Sequence, residues 1–467
     1  MTRIRSLEFT VAATLAASAL TLPAISFADV SLVATHDMSL ATGAATLPLG
    51  NDMSPALGGT VNDGIWLAWA RVPTVLDQPA SLASAHVTAV NGMPAFSFFA
   101  ASTRITGVAV AHDGTQPLVF YSTPYASATG GTANMFAWLP NSGARSVVFA
   151  QQSEIQQLTA ADYGNAANFD IAFADAVPDV YTVQPHASPD YSMFTAPARQ
   201  FTGAFNVSAA RALGADVSLY AISGVGSSFL VADRTGGNLT VPLTSAPNAL
   251  SVAPTESGSF EIAVLTGRTS IALYDTTGPG VMPTAVTSIS VPSSTVSYVA
   301  NAADFADHGM WTVALSHAPP TLWVRSAADP TMLQSFALGS DYTECGPIEA
   351  ASTPALPNAV FVSGSCTYQG GARHALLSVF TATPAIPDAG TDAGSNDAIA
   401  DAIDDTSPVD DGGVVPPRTG PSFRGSGCAC RTHGEAPARH APMRFVVFAV
   451  VAQVIARSRR RGRTRGR

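Results

Sequence analysis

The stretch Ala215-Asp-Val-Ser-Leu-Tyr-Ala-Ile222, followed after a short turn by Ser228-Phe-Leu-Val-Ala-Asp233, decides the fold of this chain. Both segments have the length and composition of β-strands, and the residues between them are glycine, serine and valine. Side chains on both sides of the pleat are apolar: Leu219 and Ala221 lie on one side and Tyr220 on the other. A strand with one solvent face would alternate apolar and polar residues, so we expect this hairpin to be covered on both faces.

Similar pairs of apolar strands recur along the chain, beginning near residues 65, 108, 170, 217, 260, 310 and 359, with gaps that average 49 residues. A four-stranded blade of a β-propeller takes about 40–50 residues, and its neighbours cover it on both faces. The pattern therefore predicts an all-β, seven-bladed β-propeller over residues 29–387, with tandem β-sandwich domains as the alternative. The segment Val30 to Leu40 is expected to pair with the last blade and close the ring. Gln151 to Asn168 is the best helical candidate, as a short insert.

The N-terminus has the three parts of a secretory signal peptide over residues 1–28. Arg3 and Arg5 supply positive charge, and an apolar stretch follows. Small residues precede a cleavage site after Ala28, which would make Asp29 the first residue of the mature chain. The alternative is an uncleaved anchor helix.

After the repeats the composition changes. Residues 388–426 are rich in Asp, Gly and Pro and lack the apolar residues of a core, so we predict a disordered linker there. Residues 427–467 contain Cys428 and Cys430, then an apolar segment at 445–456, then an Arg-rich end. The apolar segment is shorter than the ~20 residues that span a bilayer. We predict a short membrane helix in a strained or locally thinned span, with a disordered basic tail that binds acidic polymers as the alternative. The Arg cluster is typical of the cytoplasmic side of a membrane segment.

The C-terminal region, from about residue 388, resembles the MYXO-CTERM surface-sorting signal, through the Cys428-Ala429-Cys430 pair, the apolar segment and the Arg cluster. The resemblance implies export, processing near Cys428 by a membrane-embedded protease, and retention of the body at the outer membrane or cell surface. The partners it implies are the export machinery and that protease. Membrane contact would be made through the C-terminal segment.

The net charge of −10 hides an uneven distribution. From Arg431 onward there are ten Arg and one acid, so the rest of the chain carries −10 − 9 = −19. An acidic body argues against nucleic-acid binding, which requires a basic surface. Cys345 and Cys366 are 21 residues apart, and in an exported protein we expect a disulfide between them, with two buried thiols as the alternative.

No catalytic residues, metal site or cofactor can be assigned. The sequence lacks a nucleophile elbow, a zinc-protease motif and phosphate-binding loops, and its His residues are scattered. Four carboxylates are expected near strand ends: Asp170, Asp216, Glu261 and Glu344. The five Trp residues (Trp66, Trp69, Trp138, Trp311 and Trp323) are expected in the core rather than on a sugar-binding surface. We therefore favour a binding or adhesion module for protein or glycan, with a hydrolase of polysaccharide or peptide, or a structural envelope protein, as alternatives.

Overall fold

A computed structural model describes residues 30–383 and 423–429, except 42–49, 61–63, 74–79, 93, 101–103, 113–115, 125–132, 152–153, 162–169, 176–178, 184–197, 203, 213–216, 225, 235–236, 308 and 328–331. Within these ranges the chain forms seven four-stranded antiparallel blades. The first strands of the blades contact one another in a closed ring around a central channel. The prediction of a seven-bladed β-propeller is confirmed.

Blades 1 to 3 follow one another along the chain. Blade 1 contains β2 (Gly50–Thr60), β3 (Gly64–Pro73), β4 (Ser81–Val87) and β5 (Ala95–Ala100). Blade 2 contains β6 (Gly107–His112), β7 (Pro117–Ser122), β8 (Ala133–Trp138) and β9 (Arg145–Gln151). Blade 3 contains β10 (Ile155–Ala161), β11 (Asp170–Asp175), β12 (Asp179–Val183) and β13 (Ala198–Thr202).

Blades 4 to 6 repeat the same order. Blade 4 contains β14 (Ala204–Arg211), β15 (Ser218–Gly224), β16 (Ser228–Ala232) and β17 (Asn238–Pro242). Blade 5 contains β18 (Pro247–Pro254), β19 (Phe260–Thr266), β20 (Ser270–Thr276) and β21 (Thr284–Ser290). Blade 6 contains β22 (Val296–Asp304), β23 (Gly309–His317), β24 (Pro320–Arg325) and β25 (Gln334–Ala337).

Blade 7 combines both ends of the propeller. It contains β27 (Glu349–Thr353), β28 (Leu356–Tyr368), β29 (Arg373–Ala382) and, as its outer strand, β1 (Val30–Asp37) from the beginning of the chain. The short strand β26 (Tyr342–Thr343) extends β28, and the single helical turn α1 (Met38–Ala41) follows β1. Pairing of β1 with β29 closes the ring, as the sequence predicted.

Each pair of neighbouring blades shares its own cluster of buried apolar side chains, and one of these clusters joins blade 7 to blade 1. Alternation along β15 shows why the strands are apolar on both faces. Leu219 and Ala221 pack against blade 5, while Tyr220 and Ile222 pack against blade 3. The core is therefore distributed between the blades. The second strand of a blade, such as β15, is covered on both faces, whereas an outer strand such as β21 is largely exposed.

The helical candidate at residues 151–168 is wrong over its described part, because Ile155–Ala161 is the strand β10. Ile155 and Leu158 belong to the same buried cluster, a spacing that resembles one face of a helix. The strand has a register shift between Ile155 and Gln157, and such a bulge adds one residue to the alternation. Because of this bulge, the side chains of Ile155 and Leu158 lie on the same face of β10 although they are three positions apart.

Candidate functional site

Four of the seven innermost strands of the propeller share a deviation from regular pairing. Register shifts occur near the beginnings of β10, β14, β18 and β22, between Ile155 and Gln157, Ala204 and Asn206, Pro247 and Ala249, and Val296 and Tyr298. A bulge twists a strand and redirects its side chains. We call the side of the ring where these strands begin the start face, and the side where they end the end face.

Side chains on the innermost strands connect one blade to the next. Ser208 Oγ of blade 4 accepts a hydrogen bond from the Val252 amide of blade 5 at 3.0 Å. Ser251 Oγ, at the matching position of β18, accepts one from the Asn301 amide of blade 6 at 3.1 Å. A buried main-chain amide without a partner is costly, and each serine hydroxyl accepts one such amide from the next blade. The two serines satisfy these groups and fix the blade spacing.

Two further links use longer side chains. The Gln157 amide exchanges two hydrogen bonds with the main chain of Val207, each 3.2 Å long, which joins blade 3 to blade 4. Glu349 Oε2 accepts a hydrogen bond from the Leu57 amide at 2.8 Å, which joins blade 7 to blade 1. The channel is thus surrounded by strands whose positions are set by specific polar contacts.

A strand from the C-terminal region lies inside this ring. The strand β30 (Phe423–Ala429) pairs antiparallel with β27 through residues 423–425 and with β18 through residues 426–429. It also contacts β22, β14 and β2, which are innermost strands of three other blades. Through β30, blades 5 and 7 become parts of one continuous sheet. Main-chain groups of innermost strands are therefore used to hold an extended segment.

The start face carries a polar cluster at the ring closure. The Asp37 carboxylate, at the end of β1, accepts a hydrogen bond from the Tyr342 hydroxyl at 2.9 Å and lies 2.7 Å from His374 Nδ1. The Tyr368 ring stacks on the His374 imidazole, with 4.6 Å between their centroids. Burial and the neighbouring Asp37 carboxylate raise the pKa of Tyr342 well above its usual range. This cluster clamps the N-terminal strand onto blade 7.

A second, buried polar cluster lies close to this one. The Arg71 guanidinium donates two hydrogen bonds, of 2.6 and 2.8 Å, to the Asp52 carboxylate, and the Ser39 hydroxyl donates to the same carboxylate. Asp52 is fully buried, and its carboxylate is paired with the Arg71 guanidinium. Together, these contacts attach α1 and the beginning of β2 to blade 1.

The end face holds two of the predicted carboxylates, in separate places. Asp170 of blade 3 accepts a hydrogen bond from Ser218 and lies 3.7 Å from Arg211 Nη1, both in blade 4. Glu261 belongs to blade 5, where burial raises its pKa to about 7 against an opposing effect of the Arg325 charge. Blade 4 lies between Asp170 and Glu261, and the two acids have different polar neighbours.

The other predicted site residues have varied outcomes. Cys345 and Cys366 form the predicted disulfide, which fastens the segment before β27 to the end of β28. Glu344 is exposed in a turn with φ 45°, and Asp216 lies outside the described residues. Trp66, Trp69, Trp138 and Trp311 are buried, and Trp323 packs against a buried cluster, as predicted. None of them presents a ring to the channel as a sugar platform.

Only some of the predicted processing and sorting residues lie among the residues that the structure describes. Cys428 lies on β30, opposite Leu250 of β18, whereas Cys430, Ala28, Asp29 and the apolar segment 445–456 lie outside the described residues. β30 crosses the predicted boundary between linker and sorting signal, because it begins at Phe423. Among the described residues, no cluster of His, Cys, Asp and Glu is suited to hold a metal ion. Nor does any helix in that part of the chain have the length and apolar character needed to cross a bilayer.

No protein-family model matches the chain, and no curated protein matches it in sequence. Among solved structures, the β-propeller domain of Cps50 (Swd1) from Myceliophteria thermophila is 12% identical, with a TM-score of 0.46 over 72% of this chain and 100% of that one. BBS1N, solved in complex with ARL6DN, is 9% identical, with a TM-score of 0.44 over 76% of this chain and 97% of that one. A protein of unknown function from Dyadobacter fermentans is 12% identical, with a TM-score of 0.41 over 76% of this chain and 99% of that one. The chain is a β-propeller by its own strand pairing.

Proposed function

We propose that this protein is an exported, surface-anchored β-propeller that binds extended polypeptide segments in its central channel. The observation that carries the proposal is the pairing of β30 with the channel-facing edges of β18 and β27. An exposed strand edge recognises another chain mainly through main-chain hydrogen bonds, and side chains then add selectivity. The edges that accept β30 could accept a strand from another protein in the same way.

A polypeptide ligand is favoured over a glycan by the chemistry of this site. Sugar-binding surfaces commonly use exposed aromatic rings, and the Trp side chains here are used in packing between strands. The hydrolase alternative would need two acids within reach of one bond. Asp170 and Glu261 are in different blades and are engaged with different neighbours. A recognition module therefore fits the described residues better than either alternative.

The export and anchoring part of the proposal depends on the two ends of the chain. A cleavable signal at residues 1–28 would deliver the body across the inner membrane. The cysteine pair, apolar segment and Arg-rich end would then act as the sorting handle, with the Asp-rich linker as a spacer between the propeller and the envelope. On this proposal the channel faces the surroundings of the cell, where extended segments of other surface proteins are available.

A peptide-binding experiment tests the recognition role. A panel of immobilised extended heptapeptides would be probed with the purified chain and with a Gly425→Pro, Gly427→Pro variant, in which proline prevents β30 from pairing. We expect the variant to bind a subset of peptides, and backbone N-methylation of those peptides to abolish binding, because it removes the main-chain donors. Absence of binding by both proteins, or binding that is unaffected by N-methylation, would contradict the proposal. A glycan array probed in parallel would then identify a sugar ligand.

A further inference from the structure

The strand β30 occupies the channel from one face of the ring towards the other. Phe423 lies opposite Ser352 near the end of β27, which places it at the end face, and Ala429 lies opposite Ala249 near the beginning of β18. The strand pairs with blades 5 and 7, which are not neighbours, and contacts β22 of the blade between them. It therefore extends along the channel and does not simply continue the edge of one blade.

The route of the chain is compatible with this position. β29 ends at Ala382, next to the beginnings of β1 and β28, which is the end face. β30 begins at the same face, and 40 residues separate Ala382 from Phe423. The two ends of the intervening segment therefore lie at the same face of the ring.

We propose that Phe423–Ala429 is an intramolecular ligand of the channel, which holds Cys428 inside the propeller and must leave before another polypeptide strand can enter. This inference deepens the proposed function, because it names how the same channel would be regulated. Its first part, the docking of β30, can be tested on the purified chain without any assumption about export or sorting.

The linker makes the internal strand a strong competitor. A short flexible tether gives its attached segment an effective concentration on the order of millimolar. An external strand with the same intrinsic affinity must exceed that concentration to occupy half of the channels. Withdrawal of the C-terminal region, for example when it is captured by a membrane, would remove the competitor and expose Cys428. Release of the channel and access to the cysteine would then occur together.

Cleavage of the linker tests the docking directly. A specific protease site would be inserted after Asn396 in the otherwise complete chain, and the cleaved protein would be analysed by size-exclusion chromatography. We expect the C-terminal fragment to co-elute with the propeller. Gly425→Pro with Gly427→Pro should release the fragment, whereas Gly420→Pro, outside β30, should not. Release of the unsubstituted C-terminal fragment would overturn the proposal. Retention of the double-proline fragment would also overturn it, because contacts other than the pairing of β30 would then hold the fragment.

Thiol labelling at Cys428 gives a second test of the docking of β30. In a Cys430→Ser background, the labelling rate of Cys428 would be compared with its rate in the same protein unfolded in urea. We expect labelling to be slowed about 100-fold, as for a docked strand that is open about 1% of the time. The double-proline variant should lose this protection. Labelling rates of the Cys430→Ser protein and of its double-proline variant, each divided by the rate of the urea-unfolded protein, would be compared. Equal values would refute the docking. Circular dichroism would verify that both propellers are folded. Failure of peptide binding with intact fragment retention would count against the proposed function but not against the docking.

Discussion

Glu261 makes the stability of the propeller depend on pH in a predictable direction. The side chain is 7% exposed, and its Oε1 atom has no hydrogen-bond partner among the described residues. Burial raises its pKa from 4.5 to about 7, with a smaller contribution from Asp275 and an opposing one from Arg325. Because the folded protein holds the proton more tightly than the unfolded chain, this contribution to stability is complete below pH 4.5. It is lost progressively as the pH rises to about 7.

The magnitude follows from the same two pKa values. The difference between about 7 and 4.5 corresponds to about 3 kcal/mol, at about 1.36 kcal/mol per pH unit. We expect Glu261→Gln, which mimics the protonated acid, to unfold with a free energy similar to that of the unsubstituted protein at pH 4.5. At pH 8 the variant should be more stable by up to about 3 kcal/mol.

Urea unfolding at several pH values between 4.5 and 8.5 measures this difference, since the free energy falls linearly with denaturant. Glu256→Gln is the matched control, because Glu256 is an exposed carboxyl in the turn just before β19. The control measures the effect of replacing a carboxyl by an amide at an exposed position of the same blade. A constant difference between Glu261→Gln and the unsubstituted protein across the whole range would refute the reasoning, since it would mean that Glu261 does not change its protonation on folding.

Two further predictions concern the cysteines. Replacing both Cys345 and Cys366 by Ala should lower the unfolding free energy by about 3 kcal/mol, because the disulfide closes a loop of about 21 residues in the unfolded chain. Urea titrations without reductant measure the change, and an unchanged unfolding midpoint would contradict the prediction. Cys428→Ala in the expressing cell should abolish surface display, measured by protease shaving and fractionation, whereas Ser422→Ala should preserve it; normal display of Cys428→Ala would remove the proposed sorting role.

The repeat could be predicted because the second strands of the blades are covered on both faces. Their apolar runs, such as Leu219 to Ile222, are the strongest signal in the chain. In blade 2, however, the pair of apolar strands that begins near residue 108 consists of β6 and β7, which are the first and second strands of the blade. The true second strands begin at residues 64, 117, 170, 218, 260, 309 and 356, and the apparent long gap after residue 108 disappears.

The contacts around the channel could not be predicted in the same way. Ser208 and Ser251 are ordinary strand residues in sequence, and their role depends on an amide of the next blade, more than 40 positions away. Their matching places in β14 and β18 become visible only when the blades are aligned by structure. Pairing of β30 was also not expected, because residues 423–426 have the composition of a linker and the edges that hold them are formed by other blades.

Ring closure also imposes an order of events on synthesis. Val30 pairs with Ala382, so the first strand to be made requires one of the last as its partner. At about 5–20 residues per second, β1 waits roughly 20–70 s for β29 to be translated. Closing a loop of this length costs roughly 5 kcal/mol in chain entropy, beyond a constant term. During that interval the growing chain exposes unpaired strand edges, so its yield depends on protection from aggregation before the final blade is complete.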